Sequence, residues 1–108
     1  MRLAVVISQR AAEEIQAAHD WWAEHRSAAQ AARWYDGLLT ALEGLSANAV
    51  RHSKASNSSD FPFEVRELLY GLGRRPSHRA LFTIRPDAVY VLTLRHVSQA
   101  EVGLDDLL

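Results

Sequence analysis

The 108-residue sequence contains no cysteine, only one lysine and no long hydrophobic run. Without cysteine there is no disulfide framework, no thiolate metal site and no cysteine nucleophile, so an intracellular protein is the default expectation. The apolar stretch at residues 3–7 is far shorter than the ~20 apolar residues of a membrane span, and it lacks a full signal-peptide core. We therefore expect a cytoplasmic protein without a membrane anchor.

The chain is 48% hydrophobic and 23% charged, an ordinary composition for a globular domain. At this length it buries roughly two thirds of its unfolded surface, which is enough for one core of a few helices and one sheet. Two full domains are excluded on this ground, and we do not expect a deep cleft for a large cofactor. The sequence predicts a single domain over residues 1–108.

Common motifs of metal, nucleotide and hydrolase sites are also absent. The five histidines do not have the spacing of a zinc site, and we interpret them as surface or partly buried side chains. The stretch from Gly71 to Gly73 leads into two arginines and a proline rather than into a helix, which argues against a phosphate-binding loop. No Gly-x-Ser-x-Gly elbow is present. The sequence predicts neither a metal nor a cofactor.

The first part of the chain reads as a strand followed by a helix. Residues 2–7 form a short apolar run rich in β-branched side chains, and Ser8 after it is a suitable N-cap. From residue 9 to about residue 25 the apolar positions recur at helical spacing, which predicts an amphipathic helix. These positions are Ala11, Ile15, Ala18 and Trp22.

A second helix is predicted almost immediately after the first. Ser27 and Gln30 match the capping-box pattern, in which the first residue caps the helix and the third residue after it bonds back. The short connection between the two helices makes them antiparallel neighbours in a helical hairpin. The apolar stripe of the second helix is Ala31, Trp34, Leu38, Ala41, Leu42 and Leu45.

The second half of the chain predicts a loop and three strands. Residues 46–60 are polar, rich in serine and without periodicity, as in a surface loop. The strand-like runs 65–72, 78–85 and 88–96 are joined by short turns and so predict an antiparallel meander. A weak helix could start at Ser98. The fold class is therefore α+β, with the two helices packed on one face of a mostly antiparallel sheet that the N-terminal strand joins.

Strict alternation along the last two strands predicts which side chains share a face. In the first of these strands one face looks like core and the other carries two arginines; the core set is His78, Ala80, Phe82 and Ile84. In the last strand both faces are apolar, which indicates a central strand. One face there has Val89, Val91, Thr93 and Arg95. The other has Tyr90, Leu92, Leu94 and His96, so Arg95 and His96 cannot serve the same face unless a bulge intervenes.

Positive charge is concentrated in residues 61–98, which carry six arginines against three acids, whereas residues 99–108 carry three acids and no base. Because arginine makes bidentate contacts with carboxylate and phosphate, an acidic protein or a nucleic-acid backbone could bind here. The alternative is a set of solvated or ion-paired faces. The candidate partner-binding arginines are Arg66, Arg74, Arg75, Arg79, Arg85 and Arg95.

Four aromatic residues lie on the predicted helices. Trp22 and Trp34 fall in the apolar stripes and are assigned to the core. Trp21 and Tyr35 lie beside the stripes, where they could be exposed and contribute to an interface.

A metal-independent ribonuclease is one hypothesis for the arginine-rich half. Arg66 and Arg79 would stabilise the charge that develops on the scissile phosphate, and His96 would move the proton. However, a chain with a formal net charge of −1 and one lysine is poorly suited to holding RNA. An acidic protein partner fits the arginines at least as well.

Several short segments, taken in chain order, carry a resemblance to a known family. They are Trp21-Trp22, Leu42-Glu-Gly-Leu45, Val65-Arg-Glu-Leu68, His78-Arg-Ala-Leu-Phe82, Val89-Tyr-Val-Leu92 and Leu94-Arg-His96. Over about residues 4–97 the chain resembles the RelE/ParE superfamily of type II toxin-antitoxin toxins, also called plasmid stabilisation proteins. The resemblance implies a growth-inhibiting toxin that a cognate antitoxin neutralises, as a homodimer or a heteromeric complex.

The resemblance also implies roles for individual residues. Arg66 and Arg79 correspond to arginines of the second and third strands, and His96 to the histidine that closes the fourth. Many relatives continue with a basic residue and an aspartate, which residues 97–100 replace here. The lysines that some RNA-cleaving members carry on strand two are absent. These departures favour ParE-like binding of DNA gyrase over RelE-like cleavage of ribosome-bound mRNA; an inactive toxin-like binding protein is the third alternative.

Overall fold

The computed structural model describes residues 2–99 and 103–107. The predicted order of a strand, two helices and three strands is confirmed. The elements are β1 (Ala4–Ile7), α1 (Gln9–His25), α2 (Ala28–Glu43), α3 (Leu45–Asn48), β2 (Arg66–Tyr70), β3 (His78–Ile84), β4 (Ala88–His96) and α4 (Leu104–Leu107). No helix among the described residues is both long enough and apolar enough to cross a membrane.

One prediction for the second half of the chain is wrong. Residues 46–60 are not a uniform loop, because the buried side chains of Leu45 and Ala49 hold α3 and a 3-10 turn against the core. Residues 98 and 99 are not helical, and the rest of the segment in which a weak helix could start, residues 100–102, lies outside the described residues. The Gln99 N–H donates to the carbonyl of His96 and closes a turn there, so the described tail is helical only in α4.

Both predicted serine caps are present, which explains where the two long helices begin. The Ala11 N–H donates to Ser8 Oγ over 3.0 Å, and the Gln30 N–H donates to Ser27 Oγ over the same distance. Each bond satisfies one of the donors that a helix start leaves without an intrahelical partner. The hydroxyl of Ser8 also donates to the carbonyl of Leu92, so the start of α1 is tied to β4.

The sheet has the strand order β1-β4-β3-β2, with β1 parallel to β4 and the other neighbours antiparallel. The predictions that β4 is central and that the N-terminal strand joins the sheet are therefore confirmed. Where β1 gives way to α1, Glu14 covers the edge of β4. Its carboxylate accepts from the Thr93 hydroxyl at 2.6 Å and from the Leu94 N–H at 3.1 Å.

The main core lies between the helical hairpin and one face of the sheet. Trp34, Leu38 and Leu42 of α2 are fully buried there against Phe82 and Val91. The opposite face is partly covered by a second apolar cluster. Side chains of α4 and of the segment that precedes β2 contribute to it. That cluster contains Ala55, Phe61, Val65 and Leu81, with Phe63, Leu92, Leu104 and Leu107 packed around it.

The strict alternation predicted for β4 is wrong beyond Val91. Phe82 pairs with Val91, but the preceding residue Leu81 pairs with Thr93, so Leu92 is an extra residue on β4. Such a bulge shifts the residues after it by one position and exchanges their faces.

The bulge decides which residues of β4 face the helices. Leu94 and His96 join Val89 and Val91 on the helix side of the sheet. Thr93 and Arg95 lie on the other side, together with Tyr90 and Leu92.

Candidate functional site

The structure assigns Arg66 to local architecture. Its guanidinium donates to the carbonyls of Val50 and His52 and forms an ion pair with Glu64, whose carboxylate oxygen lies 2.8 Å away. The Arg66 charge and burial lower the pKa of His52, with burial the larger cause. Lys54 and Arg66 in turn lower the pKa of the exposed Glu64 carboxyl, the hydrogen bond from Lys54 being the largest contribution.

Arg66, Arg79 and His96 do not come together in one site. Arg66 pairs with Phe82, four residues along β3 from His78, whereas His96 pairs with His78. Arg79 alternates with His78 along β3 and so points to the opposite face of the sheet. A single bound phosphate therefore cannot contact all three side chains.

Arg79 and Arg95 form a pair directly across β3 and β4, on the sheet face opposite the α1–α2 hairpin. Leu69 of β2 lies next to Arg79 in register and is 54% exposed. We call these three residues the arginine face. Both guanidinium groups are positively charged, so this face is suited to contact with carboxylates or another anion.

The other candidate arginines lie elsewhere. Arg74 and Arg75 are exposed in the turn between β2 and β3, and Arg85 is exposed at the end of β3. The six arginines therefore do not form one continuous stripe. The partner-binding role of each remains a prediction.

On the hairpin side of the sheet there is a cavity of about 400 Å³ between α1, the start of β3 and the end of β4. We call it the aromatic pocket. Its lining residues are Ala18, Trp21, Trp22, Ser77, His78 and His96. Trp21 is 47% exposed, as expected from its place beside the apolar stripe. Tyr35 is half-buried and packs against His19, so the expectation that it is exposed is wrong.

Ring contacts hold the walls of the aromatic pocket in place. Trp21 meets Trp22 edge to face with ring centroids 5.6 Å apart, and it stacks on His25 at 4.7 Å. His78 lies edge to face with Trp34 at 5.1 Å and with His96 at 5.2 Å. Aromatic pairs prefer such geometries because the ring edge is positive and the ring face negative.

The electrostatics of the pocket follow from burial and hydrogen bonding. Burial, with a smaller contribution from His96, lowers the pKa of His78 to about 4, so this imidazole is neutral at pH 7. The Ser98 N–H donates to His96 Nδ1 over 3.1 Å, and the Ser98 hydroxyl lies 2.7 Å from the same nitrogen. In the neutral ring the proton is therefore inferred to be on Nε2, which can donate to a ligand.

Sequence reasoning identified Trp21 and His96 but did not place them in one cavity with Ser77 and His78. The signal was a histidine at the start of β3 and another at the end of β4, which an antiparallel pair brings together. Among the described residues, no group of three or more histidine, aspartate or glutamate side chains is arranged to hold a metal ion.

Comparisons with known proteins agree with this fold. A family model for the ParE toxin of the parDE type II toxin-antitoxin system matches residues 5–101. No curated protein matches the chain. Among solved structures, the chain is similar to one from the chromosomal ParDE toxin-antitoxin system of P. aeruginosa, at 18% sequence identity and a TM-score of 0.71. That match covers 90% of this chain and 98% of the other.

The family match extends over most of the chain, and the structural likeness supports the same α+β fold. The protein is therefore a toxin of the RelE/ParE superfamily, as the sequence resemblance predicted. Within that superfamily it belongs to the ParE toxin family of type II toxin-antitoxin systems.

Proposed function

We propose that this toxin inhibits growth by binding DNA gyrase in the cytoplasm, without catalysing a reaction, and that a cognate antitoxin neutralises it. The membership of the ParE family supports the toxin role. The separation of Arg66, Arg79 and His96 over two faces of the sheet carries the choice of binding over catalysis.

Metal-free cleavage of RNA needs a proton-transfer group and a charge-stabilising group on the same phosphate. Here the only histidine of the predicted set, His96, lies on the helix side of the sheet, and Arg79 lies on the other side. Arg66 is already bonded to two backbone carbonyls and a carboxylate. The three predicted residues therefore do not place a proton-transfer group and a charge-stabilising group on one phosphate.

The charge of the chain also disfavours RNA. Binding to a nucleic-acid backbone gains most of its affinity from the release of counterions by lysine and arginine. The single lysine, Lys54, forms an ion pair with Glu64 at 3.3 Å, and the formal net charge is −1. A protein target makes no such demand on net charge.

The arginine face supports neutralisation by an acidic segment of the antitoxin. Carboxylates of such a segment would pair with the guanidinium groups of Arg79 and Arg95, and Leu69 offers an apolar contact beside them. Complementary charge of this kind mainly raises the association rate, which then depends on salt.

The proposal is tested by inducing the toxin alone in bacteria that carry a reporter plasmid. We expect growth arrest and a shift of the plasmid towards relaxed topoisomers, both relieved by co-expression of the antitoxin gene beside this one. Normal growth at confirmed soluble expression would rule out an active toxin. Growth arrest with the plasmid fully supercoiled would rule out gyrase as the target.

A further inference from the structure

We infer that the aromatic pocket is a docking site for an acidic protein segment that inserts one aromatic side chain. The pocket lies on the helix side of the sheet, opposite the arginine face, so this inference concerns a second surface and does not depend on gyrase being the target.

The dimensions and the lining fit a single ring. A cavity of about 400 Å³ lies within the range of small ligand pockets, roughly 300–1,000 Å³, and is large enough for one aromatic side chain. Trp21, Trp22 and His78 present ring faces and edges on its walls. An inserted ring can meet them at the same separations that these side chains keep among themselves, between 4.7 and 5.6 Å.

The floor of the pocket favours a neutral, flat group. His78 is uncharged at pH 7, and Trp34 backs it from the core. His96 has its Nδ1 occupied by Ser98, which leaves the Nε2–H to donate to a backbone carbonyl of the incoming segment. The pocket therefore combines an apolar body with a directed polar contact, as binding sites commonly do.

The charge around the pocket is positive. The turn at residues 71–77 carries Arg74 and Arg75, both exposed, and no acid, and it leads directly into the two lining residues Ser77 and His78. On the other wall, Glu14 is the acid of α1 that lies beside Ala18, His78 and His96. Its carboxylate forms an ion pair with Arg10 and accepts from Thr93 and Leu94, so its charge is already engaged. By helical spacing, Asp20 and Glu24 lie off the side of the helix that carries Ala18 and Trp22.

These features together determine the chemistry of the occupant. The ring-binding walls lie inside the cavity, while the two arginines lie in the turn beside it, so one free aromatic molecule cannot use both. A peptide with carboxylates flanking an aromatic residue can use both, because its ring enters the cavity while its carboxylates reach the two arginines. Trp21, half exposed at the mouth, is the kind of side chain that anchors protein interfaces.

The test uses the full chain and a short blocked peptide that has one phenylalanine between two pairs of aspartates. Binding is followed by NMR through the indole N–H signals of Trp21 and Trp22. We expect saturable binding that weakens about tenfold or more when the peptide phenylalanine is replaced by alanine, or when the protein carries Trp21→Ala. Val50→Ala, at an exposed apolar site away from the pocket, should bind as the unchanged protein does.

A charge variant tests the second half of the inference. Arg74→Glu combined with Arg75→Glu should weaken peptide binding several-fold at low salt, and the difference should shrink as salt screens the charges. Equal binding of the alanine peptide, unchanged binding by Trp21→Ala or no saturable binding at millimolar peptide would overturn the inference. Free indole that binds as tightly as the peptide would instead indicate a small-molecule site. Because the assay contains neither gyrase nor antitoxin, its outcome is separate from that of the growth test.

Discussion

His78 and His96 lie directly opposite each other on β3 and β4, with ring centroids 5.2 Å apart on the helix side of the sheet. Their neighbours Arg79 and Arg95 form the corresponding pair on the other side. The bulge at Leu92 produces this arrangement, because without it the residues after it would face the opposite way. The aromatic pocket and the arginine face are thus two surfaces built on one pair of strands.

The first prediction concerns acid stability. The pKa of His78 is lowered from its ordinary 6.5 to about 4 in the folded chain, so the unfolded state binds more protons between these values. The destabilising effect of His78 on the free energy of unfolding should therefore be absent above pH 6.5 and grow as the pH drops towards 4. Below pH 4 this effect should not increase further. His52, whose pKa burial also lowers, adds to the same trend.

The variant His78→Phe isolates this contribution. Urea unfolding measured from pH 7 to pH 4.5 should show a smaller loss of stability for the variant than for the unchanged chain. Parallel curves for the two proteins would show that His78 does not titrate as the structure indicates.

The second prediction concerns a glycine inside α2. The Tyr70 hydroxyl donates to the carbonyl of Trp34 over 3.0 Å, and a Cβ on Gly37 would come within 2.1 Å of that hydroxyl oxygen. Alanine normally stabilises a helix interior relative to glycine by about 1 kcal/mol. Here Gly37→Ala should instead destabilise by about 1–3 kcal/mol, because the tyrosine must move and lose its bond.

Two further variants check this explanation by denaturant unfolding. In a Tyr70→Phe background the cost of Gly37→Ala should shrink, since the clashing oxygen is gone. Gly73→Ala, where an added Cβ meets no atom within 4 Å, should be close to neutral. A stabilising effect of Gly37→Ala in the unchanged chain would contradict the close approach.

Local features of the fold could be predicted from the sequence, whereas features that depend on distant residues could not. Ser8 and Ser27 predict the starts of α1 and α2, because a capping side chain bonds to a backbone N–H only three residues further along the chain. The sequence pattern does not locate the bulge at Leu92, because both faces of β4 are apolar and either register buries hydrophobic side chains. Arg66 looked available for a ligand because its carbonyl partners come from residues 14 and 16 positions earlier, Val50 and His52.

The third prediction concerns Glu14, which covers the edge of β4 beyond the end of β1. Glu14→Ala would leave the Leu94 N–H and the Thr93 hydroxyl without their acceptor. An unsatisfied, partly buried donor costs about 1–3 kcal/mol, so thermal or urea unfolding should show a loss of that size. Glu13→Ala, which removes only an exposed bond from Gln9, should cost less than about 0.5 kcal/mol. Equal effects of the two variants would contradict the role of Glu14.

The fourth prediction separates structural from partner-binding arginines. Arg66→Ala should lower the free energy of unfolding by about 1–3 kcal/mol, because two carbonyls and a carboxylate lose their donor. Arg79→Glu combined with Arg95→Glu should instead slow association with the antitoxin by about tenfold at low salt.

The matched control for the association rate is Arg2→Glu combined with Arg33→Glu, which makes the same change in net charge at exposed positions outside both surfaces. Stopped-flow measurements should show a much smaller effect for this control. If both double variants slowed association equally, the net charge of the chain and not the arginine face would be responsible.

The most direct test of the central claim compares purified toxin in two assays, gyrase supercoiling and cleavage of mRNA on translating ribosomes. We predict that the toxin inhibits supercoiling and leaves the mRNA intact, because His96 and Arg79 lie on opposite faces of the sheet. The variant His96→Ala should likewise leave the mRNA intact. Specific cuts in ribosome-bound mRNA that fall by about 100-fold or more in His96→Ala, with supercoiling unaffected, would contradict the account.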